Sequence, residues 1–358
     1  MKIALVSFYS GSVNRGVEAV VHEIATRLSN KKVVHVFQEG KPNKRTNYTI
    51  ISIPMGVNWN KKVMTGTFLR RIFVDYWSLK IGLHTLKILA RVWKEKYDIV
   101  FPFNGGWQSA FLRLITWLYG GKMIIAGQSG MGWDDRNNLW SFPDAFVGLT
   151  SKAKRWAKMA NPFLKNIVNI PNGVDLSRFK PQGSKFKTSL KKPIILSVGA
   201  LTPQKRIDLV IKAVSKLRDV SLLIAGSGDK NDPIIELGKK LLRGRFEHII
   251  VSFSKMPEVY RAVDLFTLVS ESSEAFGNVF VEAMASGLAV VATDDEQRRE
   301  IIGEAGIFVD PTDIDSYASA LKKALSMDWG NKPRIQAGKF DWDKIVKKYE
   351  ELFNEVLK

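Results

Sequence analysis

The chain has 358 residues, more than one typical hydrophobic core accommodates and enough for about two domains. Apolar residues make up 45% of the chain and charged residues 25%, a composition that excludes a largely disordered protein. There is no cysteine, which excludes disulfides, thiolate metal sites and a cysteine nucleophile, and which fits a cytoplasmic location.

The formal net charge of +19 is concentrated in the first half of the chain. Residues 1–173 carry 25 Lys and Arg against 9 Asp and Glu, whereas residues 174–358 carry 29 against 26. Such a field attracts phosphate-rich partners: nucleic acid, an anionic membrane surface or a phosphate-bearing substrate. A generally lysine-rich surface is the alternative, although it does not explain why only one half is basic.

The first half opens with KIALVSFY, which predicts a strand and not a signal peptide, followed by the loop SGSVNRG. The segment VEAVVHEIATRLS then has apolar residues at helical spacing. Further strands are predicted at VVHVFQ, DIVFPF, KMIIAGQ and AFVGLT. No run of about 18 uncharged apolar residues occurs, so no transmembrane helix is predicted.

The second half repeats this opening, with the strand PIILSVGA, the loop LTPQKR and the helix IDLVIKAVSKL. Strands are then predicted at SLLIAGSG, HIIVSFS, DLFTLVS, LAVVAT and GIFVD. Two sets of apolar strands alternating with helices predict an α/β fold with two Rossmann-like domains and a cleft between them. The predicted boundaries are 1–173, 174–339 and a terminal helix over 340–358, with a linker in IPNGVDLSRFKPQGSK and KFKTSLKK.

The segment EAFGNVFVEAMASG is the first candidate site. A helix is expected to begin near Asn278, with Gly277 as a flexible entrance, so that the amides from Gly277 through Val279 form a phosphate site. Glu282 lies four residues further on, about 6 Å along the axis, a suitable distance for a carboxylate that accepts from a ribose hydroxyl pair. Glu274 precedes the turn and would face the group beyond the phosphates. Alternatively, Glu274 is a loop residue and Glu282 a solvated one, but the apolar neighbours of Glu282 indicate burial.

The segment SVGALTPQKRID is the second candidate site, because it places Lys205 and Arg206 after a strand that ends at Gly199. Cations at a helix start are commonly solvated, but opposite the Gly277 amides they would form a phosphate clamp. A third glycine turn, AGSGD, is interpreted as a feature of the fold.

From about residue 168 to 325, the sequence resembles the nucleotide-sugar-binding half of retaining GT-B glycosyltransferases of family 4. The segments that carry this resemblance are IPNGVDLSRF, VGALTPQKRIDLVIKA, AGSGD, VYRAVDLFTLVS, EAFGNVFVEAMASGLAVVAT and AGIFVDPTDIDSYASAL. Glu274 and Glu282 match the paired glutamates of that family. Several motifs in the right order make a chance match improbable.

The resemblance implies a donor site in the second half. It implies that Glu282 holds the ribose, Glu274 the hydroxyls of the transferred sugar, and Lys205 the diphosphate. The backbone from Phe276 through Gly277 and Asn278 to Val279 would contact pyrophosphate and sugar, and the base would lie near residues 252–256. The resemblance also implies that the terminal helix returns to the first domain.

The sequence departs from the family pattern at three places. Ala200 stands where an arginine is usual, and Arg206 is a replacement cation. The glycine pair of the first domain is Arg15 and Gly16 here, with Arg15 a candidate for a phosphate or acceptor contact. Gln128, followed by Ser129, stands where an active-site histidine is usual.

The histidines and two pairs of aspartates are interpreted as structural residues and not as parts of a site. The four histidines, His22, His35, His84 and His248, are assigned to helix or strand surfaces. The pairs Asp313 with Asp315 and Asp341 with Asp343 have metal-binding spacing, but both precede helical patterns, where aspartate is a good cap. No metal and no cofactor are therefore expected, the nucleotide sugar being a substrate.

Residues 54–96 contain nine Lys and Arg against two acidic residues. Large aromatic residues are interleaved with them: Trp59, Phe68, Phe73, Tyr76, Trp77 and Trp93. Basic and aromatic residues together suit the surface of an anionic bilayer. Packing of the aromatics in the core of the first domain is an equal alternative, and both hold if different residues are involved.

These observations predict a retaining glycosyltransferase that moves a hexose from a nucleotide diphosphate sugar to a glycan or lipid-linked acceptor. The expected location is cytoplasmic and peripheral at the inner membrane face. One alternative is a nucleotide-sugar epimerase of the same fold. Another is a basic nucleic-acid-binding protein, which would explain the charge but not Glu274, Gly277 and Glu282, and no nucleic-acid-binding module is apparent.

Overall fold

A computed structural model describes residues 1–13, 16–42, 45–59, 68–228 and 232–358. The chain divides into two compact units, the first formed by Met1–Asn172 with Trp342–Lys358 and the second by Gly173–Asp341. The chain thus leaves the first unit after Asn172 and supplies its last helix to that same unit. The segment predicted as a linker belongs to the second unit from Gly173 onward, with Phe179 buried there.

Within its described residues, the first unit contains β1 Lys2–Val6, α1 Gly16–Leu28, β2 Val33–Gln38, β3 Thr49–Ser52, α2 Phe68–Arg71, α3 Tyr76–Glu95, β4 Ile99–Pro102, α4 Trp107–Tyr119, β5 Lys122–Ala126, α5 Trp133–Trp140, β6 Ala145–Gly148, α6 Ser151–Ala160 and β7 Ile167–Asn169. The strands form one parallel sheet in the order β3-β2-β1-β4-β5-β6-β7.

Both faces of this sheet are covered. Alternate residues of β1 enter different apolar clusters, Ile3 and Leu5 on one side and Ala4 and Val6 on the other. Successive side chains of a strand point to opposite faces, so a strand buried on both faces reads as the unbroken apolar run seen in the sequence.

The second unit contains, among the residues described, β8 Ile194–Val198, α7 Ile207–Ser215, β9 Ser221–Ala225, α8 Pro233–Leu242, β10 Phe246–Ile249, α9 Met256–Arg261, β11 Leu265–Leu268, α10 Asn278–Ala285, β12 Val290–Thr293, α11 Glu296–Ile302, β13 Gly306–Val309, α12 Ile314–Ser326 and α13 Lys332–Ala337. Its parallel sheet has the order β10-β9-β8-β11-β12-β13. The predicted fold class, α/β with two Rossmann-like domains, is confirmed.

Three strands depart from the prediction. The short strands β3 and β7 were not predicted. The segment HIIVSFS was predicted as a strand from His248 onward, but β10 covers Phe246–Ile249 and the chain then leaves the sheet. β10 is an edge strand of half-buried residues, so the apolar run that continues past it did not mark its end.

The terminal helix α14, Trp342–Val356, packs in the first unit against α1 and the sheet. The ring centroid of Phe101 in β4 lies 5.7 Å from that of Tyr349 and 6.4 Å from that of Phe353. Arg27 of α1 donates from Nε to Oδ1 of Asp343 over 2.7 Å. Asp343 is therefore engaged in an ion pair at the helix start, and Asp313 accepts from the Ser316 amide as the predicted cap of α12.

Candidate functional site

The helix α10 begins at Asn278, as predicted, and Gly277 makes the turn into it. Gly277 has φ 83° and ψ 66°, a left-handed conformation that glycine adopts without strain. A Cβ atom at this position would come within 2.7 Å of the Phe280 ring. The glycine is thus required both by its backbone conformation and by the packing of Phe280. The positive end of the helix dipole lies at this turn.

Phe276, just before the turn, has its side chain in the core. It is 2% exposed and packs edge-on against Phe340 at a centroid distance of 5.7 Å. Phe276 fixes the position of the turn, and its backbone remains the part predicted to contact a ligand.

Glu282 is buried, in agreement with the interpretation of its apolar neighbours. It is 9% exposed, and its Oε2 accepts a hydrogen bond of 2.9 Å from the hydroxyl of Tyr260 in α9. Burial raises the pKa of Glu282 to about 7, although the Tyr260 hydroxyl and the positive charge of Arg178 act in the opposite direction. The same hydroxyl lies 3.5 Å from the Val279 carbonyl oxygen, so Tyr260 links the first turn of α10 to Glu282.

Lys205 and Glu274 form an ion pair. Lys205 ends a short 3-10 helix after β8, and Glu274 lies in the loop between β11 and α10. Their side chains are 22% and 20% exposed. A backbone hydrogen bond of 2.9 Å from the Glu271 amide to the Gln204 carbonyl oxygen joins the two loops. Two residues that are 69 positions apart in sequence, both predicted to contact the donor, therefore meet.

Gly199 follows β8, with φ 157°, and the aliphatic stem of Lys205 lies 3.5 Å from the position a Cβ would occupy. Gly226 of the AGSGD turn lies so close to Gly199 that a Cβ atom on Gly226 would come within 1.7 Å of the Gly199 carbonyl oxygen. The glycine of that turn is therefore needed for close packing of the loops after β8 and β9. Asp229 of the same turn lies outside the described residues.

Arg206 has a left-handed backbone, with φ 50° and ψ 39°, at the entrance to α7. Hydrogen bonds from Thr312 lower the pKa of Asp310 at the end of β13, and the positive charge of Arg206 contributes to that lowering. The charge of Arg206 thus acts near the carboxyl end of β13, and its predicted contact with a ligand remains a prediction.

Two buried residues at the start of α11 hold the loop that carries Glu274, and sequence reasoning missed both. Gln297 donates from Nε2 to the carbonyl oxygens of Glu274 and Ala275, at 2.7 and 2.8 Å. Arg298, 1% exposed, donates to the carbonyl oxygen of Glu271 at 2.6 Å and pairs with Asp295. Side chains that bind backbone carbonyls leave no spacing pattern in a sequence, so no motif marked them.

If the donor site predicted from the sequence lies here, replacing Gln297 with Met is expected to reduce kcat about tenfold while changing the binding of a free nucleotide little. The methionine retains the volume but leaves two carbonyl oxygens without their donor, which destabilises the loop around Glu274 by about 1–3 kcal/mol. Steady-state kinetics and calorimetry measure the two effects separately.

Gln336 provides the matched control, because its Nε2 also donates to a backbone carbonyl, that of Ile301 at 2.8 Å. Gln336→Met should cost similar stability and leave kcat unchanged. Equal losses of activity in the two variants would contradict a positioning role for Gln297.

The first-unit candidates are placed as follows. Gly16 is the first residue of α1, and Arg15 lies outside the described residues. Gln128 follows β5 and exchanges two hydrogen bonds with Asn172, from Nε2 to Oδ1 at 2.9 Å and back from Nδ2 to Oε1 at 3.0 Å. Gln128 thus anchors Asn172, the residue after which the chain leaves this unit.

A buried carboxyl supports the turn after Gln128. Oδ2 of Asp135 accepts from the Ser129 amide at 3.1 Å, and burial raises the pKa of Asp135 to about 7. Hydrogen bonds from Asn138, Ser129 and Gly130 act in the opposite direction. The turn therefore depends on a buried carboxyl group.

The assignment of the histidines to surfaces is wrong for His84. It is fully buried in α3, its ring centroid lies 5.4 Å from that of Phe8, and burial lowers its pKa to about 4. The other three are partly exposed and lie on α1, β2 and β10.

The aromatic residues of the stretch 54–96 fall into both predicted classes. Phe73 and Trp77 are buried, whereas Phe68 and Trp93 are 73% and 45% exposed. Residues 60–67, with two lysines, lie outside the described residues.

Over the ranges that are described, no group of three or more His, Asp and Glu side chains could hold a metal ion. A search of the same ranges found no helix with the length and hydropathy that a membrane span requires.

Residues 180–339 match the model of the family Glycosyl transferases group 1. The chain is 32% identical over 231 residues to an exopolysaccharide phosphotransferase of Streptomyces coelicolor, covering 60% of this chain and 24% of that one. It is 28% identical over 226 residues to a phosphatidyl-myo-inositol mannosyltransferase of Mycobacterium tuberculosis, covering 59% of each. The chain thus spans between a quarter and three fifths of the length of these relatives.

The structure of Anabaena HepE in complex with UDP and glucose resembles the whole chain, with a TM-score of 0.77, 16% identity and 99% of both chains covered. This likeness confirms the GT-B fold class. The family match lies within the second unit.

Proposed function

We propose that the chain is a retaining glycosyltransferase that transfers a hexose from a nucleotide diphosphate sugar to a glycan or lipid-linked acceptor. One observation carries the proposal: the left-handed Gly277 turn into α10, with the Lys205–Glu274 pair before it and the buried Glu282 after it. The Lys205 cation and the helix N-terminus suit a diphosphate, Glu274 suits the sugar hydroxyls, and the buried Glu282 suits a ribose.

The diphosphate binds at the Gly277 turn, where it contacts the backbone amides from Phe276 to Val279 and the ammonium group of Lys205. Once Lys205 pairs with the diphosphate, the Glu274 carboxylate is available to the sugar hydroxyls. Glu282 lies about 6 Å further along the helix and accepts from the ribose hydroxyls. The base lies near residues 252–256, where Phe253–Lys255 form a short 3-10 helix.

The chemistry requires charge stabilisation on the leaving diphosphate. Lys205, Arg206 and the positive end of α10 supply it, so we propose that no metal ion is needed. The leaving phosphate helps to deprotonate the acceptor hydroxyl on the same face of the sugar, which gives retention without a protein nucleophile. Arg15, Gly16 and Gln128 are proposed to lie on the acceptor side.

The acceptor is proposed to be carried by an anionic membrane at its cytoplasmic face. Two facts support this proposal: the excess of basic residues in residues 1–173, and the relative named as a phosphatidyl-myo-inositol mannosyltransferase. Nucleic acid is not proposed as a partner.

A panel of UDP-, GDP- and ADP-sugars in a thermal-shift assay tests the donor site. A ligand present at 100 times its Kd stabilises the folded state by about 2.7 kcal/mol, so the correct base is expected to raise the Tm measurably. If no member of the panel raises the Tm, the donor site proposal is wrong.

Replacing Glu274 with Ala is expected to lower kcat/KM at least about tenfold without weakening the binding of the free nucleotide diphosphate. The free nucleotide has no sugar for Glu274 to hold, and removal of the carboxylate leaves Lys205 without a competing anion. Calorimetry with the nucleotide and initial rates with the nucleotide sugar provide the two values. A parallel loss in both would contradict a role on the sugar side.

A further inference from the structure

The outward side of α4 is entirely apolar. Within this helix the only charged residue is Arg113, which is buried and paired with Asp144. The exposed positions include Leu114, Trp117 and Leu118, which are 56%, 59% and 64% exposed. A surface helix of a globular protein ordinarily turns polar residues to solvent, so a helix whose exposed side is apolar indicates a further contact.

The neighbouring helix α3 extends this surface. A Cβ on Gly82 would lie 3.1 Å from Cβ of Trp107, and the Trp93 ring centroid lies 6.4 Å from that of Tyr119. The two helices therefore run side by side over most of their lengths. Their inner sides enter one apolar cluster, through Ile88, Val92 and Leu112 among others, so their outer sides face away from the same side of the sheet.

The outer sides of both helices together form what we call the α3–α4 face. It is defined by six exposed side chains: Leu83, Leu86, Trp93, Leu114, Trp117 and Leu118. Three of them come from each helix, and on each helix they recur at helical spacing, so they lie on one side of it. A set of exposed tryptophan and leucine side chains of this size marks a binding surface.

Basic residues accompany the α3–α4 face. Lys87, Arg91 and Lys94 are exposed on α3, and the acidic residue of its last turn, Glu95, pairs with Lys2. The unit as a whole has a large excess of Lys and Arg. A second copy of the chain would bring like charges together at this face, whereas an anionic lipid surface would neutralise them.

We propose that the α3–α4 face docks on an anionic bilayer, with the leucines in the acyl boundary, the tryptophans at headgroup depth and the lysines on the lipid phosphates. This deepens the proposed function, because it names the surface that would bring the transferase to a membrane-borne acceptor. The docking itself does not depend on the identity of the donor or on turnover.

The double variant Trp117→Glu with Leu118→Glu tests this docking. The full chain is expected to bind phosphatidylcholine vesicles that contain phosphatidylglycerol at low salt, and the variant to lose at least about tenfold in partitioning, since two large apolar side chains no longer leave water. Ile335→Glu is the matched control, because Ile335 is 67% exposed in the second unit. It should bind vesicles as the parent does.

Calorimetry with the nucleotide diphosphate separates this proposal from that of the donor site, because the double variant should bind the nucleotide as tightly as the parent does. Equal vesicle binding by parent and double variant would overturn the proposal. Equal binding of the parent to vesicles of phosphatidylcholine alone would also overturn it. A dimer of the parent in solution that is lost in the double variant, but not in Ile335→Glu, would overturn it as well.

Discussion

Replacing Lys205 with Ala is expected to lower kcat about 10²–10³-fold and to weaken the binding of a nucleotide diphosphate. In the proposed mechanism, Lys205 supplies a full positive charge to the leaving diphosphate, and loss of one such group has an effect of this size. The ion pair adds to the loss, because Glu274 would keep its negative charge with no cation beside it. Initial rates and calorimetry measure the two effects.

Lys212→Ala is the matched control, since Lys212 also pairs with a carboxylate, that of Asp208, on the same unit. Lys212→Ala should leave kcat and the affinity for the nucleotide diphosphate unchanged. The double variant Lys205→Ala with Glu274→Ala separates charge repulsion from lost stabilisation: it should recover part of the nucleotide affinity but not the rate. Full activity in Lys205→Ala would contradict the proposed clamp.

The fold was largely predictable because the strands are buried on both faces and their apolar runs are therefore continuous. β1, β4, β6 and β11 illustrate this, with nearly every residue buried. The start of α10 was also predictable, because a glycine in a left-handed turn before an amphipathic segment is a local signal. Edge strands were less predictable: β3 was missed and the bounds of β10 were misplaced, and both strands are at most half-buried, although the edge strand β13 was predicted.

Lys205 and Glu274, two of the predicted site residues of the second unit, meet because the carboxyl ends of parallel strands lie at one edge of a sheet. Their partners were not predictable, since each partner comes from a distant part of the chain. Tyr260 reaches Glu282 from another helix, and Gln297 reaches the Glu274 backbone from beyond β12. Hydrogen bonds of this kind depend on tertiary packing, which periodicity does not encode.

Replacing Glu282 with Gln is expected to weaken nucleotide diphosphate binding about 10–100-fold, because hydrogen bonds to a carboxylate contribute about 1.5–3 kcal/mol and an amide offers fewer acceptors. The pKa of Glu282 is about 7, so parent affinity should rise as the pH increases from about 6 to about 8 and the carboxylate forms. The Gln variant should lack this rise in affinity. Calorimetry of both proteins across the pH range measures the difference, and titration of the ligand cancels because it is the same for both.

The same substitution should stabilise the protein at high pH. Burial raises the folded-state pKa of Glu282 from 4.5 to about 7, so its favourable contribution is complete below the unfolded value and is lost as the pH rises through about 7. Glutamine does not ionise, so Glu282→Gln should raise the Tm relative to the parent at about pH 8, by about 2–4 °C for each kcal/mol, and not at about pH 5.

Tyr260→Phe tests the cause of this pH dependence. The Tyr260 hydroxyl stabilises the ionised form of Glu282, so its removal should raise the carboxyl pKa further and move the rise in affinity to higher pH. A parent-like pH profile in Glu282→Gln would assign the titration to another group. A variant that binds less tightly yet unfolds at higher temperature would show that the buried carboxyl is retained for the ligand, at the expense of stability.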